Sequence, residues 1–122
     1  MKQFRSLIIA AALVVSATAH AHEPRKGPNG GTLVDAGVHH VELVAAGSEV
    51  KVYVSDVADA PLPSDGFTGM AILLIDGKPT RVPLASTGAF LSGPLATPSE
   101  GPVKGAVQLT GPDGKTSQAK FN

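Results

Sequence analysis

The sequence predicts an all-β fold: a small immunoglobulin-like or Greek-key β-sandwich of about 7–8 strands, following a cleaved signal peptide. Three observations carry this. Glycine (14) and proline (10) are abundant while aromatic residues make up only 4% of the chain, which suits short strands joined by many turns. No segment beyond residue 21 sustains a helical apolar period. Instead, short alternating runs recur with turn signals about every 8–12 residues.

Residues 1–21 have a secretory layout. Lys2 and Arg5 form a positive n-region, residues 7–15 are an unbroken apolar run, and Ala19-His20-Ala21 is a small-x-small cleavage site. The apolar run is too short to span ~30 Å of hydrocarbon, so no stable membrane insertion is expected after cleavage. Residues 22–30, with two prolines, should form an extended lead-in, and residues 31–122 the sandwich domain.

The first strand is expected at residues 32–35, with a tight turn at Ala36-Gly37. A second follows at residues 39–45, and a turn at Ala46-Gly47-Ser48 leads to a third at residues 49–55. In that third strand Val50, Val52 and Val54 alternate with Lys51, Tyr53 and Ser55, the pattern of a half-buried strand. Residues 57–66 form a long connection. The apolar run at residues 68–75 should be central, and Asp76-Gly77 is a two-residue hairpin signal leading to a strand at residues 80–84. Pro79 and Pro83 mark that strand as an edge. A short strand at 89–91, an irregular crossing at 94–102, a strand at 103–110, a turn at 111–114 and a closing strand at 115–121 complete the chain.

Composition excludes several function classes. Ten basic residues balance ten acidic ones, so there is no basic stripe for nucleic acid or an anionic membrane. The absence of cysteine removes disulfides, thiolate metal sites, c-type haem attachment and Cys nucleophiles. No G-x-S-x-G elbow or GK[ST] phosphate loop is present. A non-enzymatic role is therefore expected.

The chemistry gathers at residues 27–44, GPNGGTLVDAGVHHVELV. Strand parity sends His39, Val41 and Leu43 to the core side, and His40, Glu42 and Val44 to the other. His40 and Glu42 then lie ~6.5–7 Å apart at Cα on one face, and an imidazole with a carboxylate suits Cu(II) or Zn(II) better than Ca or Mg. The bland alternative is an exposed His–Glu pair joined by a hydrogen bond. For His39 the alternative is a half-buried ring satisfied by a backbone carbonyl. Cleavage after Ala21 makes His22 the first residue, where an α-amine titrating near ~7.7–8.0 and an imidazole can chelate together. Its alternative is a terminal residue moving freely in solvent. Gly27 to Gly31 should form a tight turn, with Asn29 as a turn former. Asp56, Asp59 and Asp65 share one loop and could bind a hard cation, but they lack the ligand spacing of a calcium loop and read more simply as solvated turn residues.

The run at 27–44, followed by EVKVYVSD at 49–56, resembles small periplasmic heavy-metal-resistance proteins with a GP(H/N)GG…HVELV motif. It is also similar to the N-terminal segment of the adaptor subunits of heavy-metal RND efflux pumps. The likeness continues weakly through residues 114–121. Gly30 and Gly31 match the glycine pair, and His40 and Glu42 the His-x-Glu strand. Asn29 stands where many relatives have His, which removes one potential ligand. A vaguer likeness, on His22 and general class, is to small cysteine-free copper-resistance carriers whose mature chain begins with His.

The resemblance implies a β-sandwich in the Gram-negative periplasm that buffers or delivers Cu(II) or Zn(II) in support of efflux. His40 and Glu42 would be core ligands, with His22 completing the site and His39 a possible fourth. An RND-type adaptor would be its partner. The rival expectation is a non-metal interaction module docking on such an adaptor or another envelope protein.

Overall fold

The computed structural model describes residues 23–122; the expected signal segment and His22 lie outside the described residues. Eight strands form: β1 Arg25–Lys26, β2 Thr32–Ala36, β3 His39–Asp56, β4 Thr68–Ile75, β5 Lys78–Ser86, β6 Leu91–Glu100, β7 Gly105–Thr110 and β8 Thr116–Phe121. All neighbours are antiparallel, in the order β1-β2-β3-β6-β5-β4-β7-β8. No helix occurs among the described residues. Strands β4, β5 and β6 follow one another as hairpins and β7 returns beside β4, which is a Greek key.

The sheet curls around one apolar core. Alternation supplies it: Val50, Val52 and Val54 of β3, Ala71, Leu73 and Ile75 of β4, Val107 and Leu109 of β7, and Ala119 and Phe121 of β8 all turn inward. The curl brings the β2–β3 turn against β8, where a Cβ added to Gly37 would lie 3.3 Å from that of Ser117. The sandwich expected from sequence is thus one continuous sheet folded over on itself. Strand β5 joins its halves by pairing with β4 along Lys78 to Leu84 and with β6 at Ala85 and Ser86.

Three local expectations change. The second and third expected strands are one, β3, and the expected turn at Ala46-Gly47-Ser48 is a bulge. Gly47 does adopt a left-handed φ of 63°. However, β6 runs alongside both flanks, so the glycine relieves a register shift instead of reversing the chain. Its N–H donates to Glu100 Oε1 at 2.9 Å. The extra residues lie on β6, between the pairs Gly47↔Ser99 and Glu49↔Pro94. Most of the expected crossing at 94–102 is therefore strand, with Pro98 inside the irregularity, Pro94 at its edge and Pro102 beyond β6. Strand β5 lies between β4 and β6 in sheet order, but along Lys78–Leu84 it pairs with β4 alone, so Pro79 and Pro83 sit on an open edge, as expected. Pairing with β6 begins past Pro79 and Pro83, so neither proline costs a β5–β6 hydrogen bond. Finally, the lead-in contains β1, which pairs Arg25 with Leu33 and Lys26 with Thr32.

The Asp76-Gly77 hairpin forms as expected, with φ of 50° and 73°, the signs a type I′ turn requires.

Candidate metal site

The first turn-to-turn stretch of β3 is buried on both faces. Val41 (0% exposed) and Leu43 (5%) enter the core, while His40 (6%) and Glu42 (1%) point the other way, as parity expects. That second face is not open to solvent. The turn of residues 27–31 covers Glu42, and Arg25, Asp35 and Asp59 surround His40.

Glu42 is held by the turn. The Asn29 N–H donates to Oε2 at 2.9 Å and lies 3.2 Å from Oε1; the Gly31 N–H donates to Oε2 at 2.8 Å; and Asn29 Nδ2 donates to Oε1 at 2.8 Å. Both oxygens are occupied, so the buried carboxylate leaves no acceptor unsatisfied. The turn itself closes through Gly27 N–H to Gly31 O at 2.9 Å and Gly30 N–H to Gly27 O at 3.2 Å. Only glycine fits at 27, because a Cβ there would lie 2.2 Å from Glu42 Cδ.

His40 is surrounded differently, by side chains. Asp35 is its cross-strand register partner, and Asp35 Oδ1 lies 3.1 Å from Nε2. Asp59 Oδ1 lies 2.7 Å from Nδ1. Arg25 Nη2 donates to the same Asp59 oxygen at 2.9 Å and lies 3.2 Å from Nδ1. Asp59 arrives from the connection after β3 with a left-handed φ of 64°. Asp56 builds that bend: its Oδ1 accepts the N–H groups of Ala58 at 2.8 Å and Ala60 at 3.0 Å, and its carbonyl accepts that of Asp59 at 3.0 Å. The hydrogen bond with His40 holds the Asp59 carboxyl below its ordinary value of 3.8; desolvation opposes this and the Arg25 charge assists it.

The four sequence-nominated residues therefore separate. His40 and Glu42 share a face, but their polar atoms go to different partners. His39 turns to the core side and meets the edge of Phe67, with ring centroids 5.4 Å apart at 81°. His22 is outside the described residues. What gathers at His40 is Asp35, Asp59 and Arg25, none of them nominated. Asp35 was legible in principle: a two-residue turn at Gly37-Val38 pairs 35 with 40, whereas the turn expected one residue earlier does not. Nothing in the sequence distinguished Asp59 from its loop neighbours.

The two aspartates approach opposite nitrogens of the ring. Accordingly, among the described residues no three His, Asp or Glu side chains form a group that could hold one ion. A cleft of about 70 Å³ opens beside Asp59 and Glu42, lined also by Asn29, Tyr53 and Pro61. A wider groove of about 640 Å³ runs between β1, Val44–Ala46 of β3 and the β6–β7 connection. Comparison with protein-family models, curated proteins and solved structures finds no match.

Proposed function

We propose that the chain is a non-enzymatic periplasmic accessory protein that buffers or delivers Cu(II) or Zn(II) in support of heavy-metal efflux, holding the ion on His40 and Asp59. The observation that carries this reading is the carboxylate at each nitrogen of one imidazole, at 3.1 and 2.7 Å. A ligating histidine ordinarily gives its second N–H to a carboxylate, which fixes the ring and raises its basicity. Asp35 would serve in that way at Nε2. Nδ1 and Asp59 Oδ1 would then be ligands.

An imidazole with a carboxylate suits borderline ions, and two protein ligands leave open positions for water. Such a site exchanges its ion readily, as a carrier must. In this reading Glu42 fastens the turn and is not a ligand, because both its oxygens are already taken. The test is calorimetric titration of Cu(II) and Zn(II) into the protein and its His40→Ala variant. Binding that His40→Ala abolishes supports the reading; unchanged affinity removes it.

The groove favours a second reading. Arg25, Lys26, Val44, Ala46, Glu100 and Pro102 line a surface wide enough for a partner segment, so an interaction module docking on an efflux adaptor would use this face.

A further inference from the structure

The Asp59 carboxylate already has a cation beside it, the guanidinium of Arg25. We infer that Arg25 is a built-in competitor for the divalent ion, and that ion binding displaces its side chain from His40 and Asp59. The inference rests on the metal reading above and adds to it what sets the affinity and what moves.

The geometry leaves no room for both cations. Arg25 Nη2 is 2.9 Å from the one Asp59 oxygen that also meets His40, and 3.2 Å from the nitrogen that would bind the ion. A divalent ion bonded to both atoms would sit within a few ångströms of the guanidinium, and like charges at that range repel strongly in a half-buried setting. One must leave, and Arg25 is free to do so. Its side chain is 38% exposed, on a strand of two residues at the sheet margin. His40 cannot move in the same way, since its side chain is 8% exposed and Asp35 faces its far nitrogen. The Asp56 bend fixes the backbone from which Asp59 projects.

The exchange has a structural consequence. β1 is attached through two backbone partners on β2 and through the Arg25 side chain. Removing the second attachment loosens residues 24–26, which also line the wide groove. Ion loading would thereby alter the surface that the docking reading uses. The Glu42-held turn that follows stays in place, because its bonds do not involve Arg25.

The test titrates Zn(II) and Cu(II) into the wild-type protein and the Arg25→Ala, Arg25→Gln and His40→Ala/Arg25→Ala variants. Cooperative thermal unfolding checks each fold, and glutamine keeps most of the stem should alanine not fold. Removing the guanidinium should tighten binding about two- to fivefold, the factor that an exposed ion pair supplies. The double variant should bind neither ion. Binding by the wild type that is unchanged or weaker in both single variants overturns the competitor role and leaves the metal reading standing. Binding retained by the double variant places the ion elsewhere and overturns both. Silence in wild type and single variants alike overturns the metal reading and this inference together, whereas binding that emerges only without Arg25 supports both.

Discussion

Glu42 and His40 lie two residues apart on one face of β3, and their surroundings differ in kind. Backbone N–H groups and a single amide side chain satisfy Glu42, and it is 1% exposed. Side chains surround His40, and two of them, Arg25 and Asp59, are 38% and 58% exposed. A main-chain donor moves only if its turn unfolds, whereas a surface side chain changes rotamer in nanoseconds or less. The difference teaches that the Glu42 site is fixed and the His40 site is exchangeable. Only the second is suited to taking up and releasing a ligand.

Breaking the fixed site should have the larger effect. Glu42→Ala would leave the Asn29 and Gly31 N–H groups facing an apolar methyl. We expect a loss of about 2–4 kcal/mol, read in denaturant unfolding. Gly27→Ala should cost about 1–3 kcal/mol by forcing its Cβ into the same carboxylate, and combining the two changes should give less than their sum, because they disturb one contact.

The exchangeable site should show itself in pH dependence. The Asp59 carboxyl is held below its ordinary value of 3.8, chiefly by the His40 hydrogen bond. A depressed acid contributes stability that is fully present above 3.8 and is lost as pH falls through the folded value. The stability difference between wild type and Asp59→Asn should therefore shrink as pH falls below 3.8. A difference that does not shrink below 3.8 would assign the effect to another group.

The smallest effect belongs to the far end of β3, where the outer face is half-exposed. Lys51 Nζ stands 5.2 Å from the centroid of Phe90, which also meets Tyr53. Lys51→Ala should change stability by no more than about 1 kcal/mol, since an exposed cation–π contact supplies little. A larger loss would mean that the two ends of β3 are coupled.

Much of this was legible before folding. The Val50-Val52-Val54 alternation, the Asp76-Gly77 hairpin and the opposite facing of His39 and His40 all follow from a period of two and from turn chemistry, which are local properties. Gly47 was not, because a left-handed glycine serves a turn or a bulge equally well, and only the neighbouring β6 decides between them. The candidate site was half legible for the same reason. His40 and Glu42 could be placed on one face, but what covers that face comes from residues 27–31 and from Asp59, 17 residues beyond Glu42. Long-range closure of this kind leaves no periodic mark on a sequence.

The separation of roles between Glu42 and Asp59 can be measured directly by titrating Zn(II) and Cu(II) into Glu42→Gln and Asp59→Asn side by side. We expect Asp59→Asn to lose most of the binding while Glu42→Gln, though less stable, keeps it. Loss of binding in Glu42→Gln with Asp59→Asn unaffected would contradict the assignment and return the ion to the carboxylate beneath the turn.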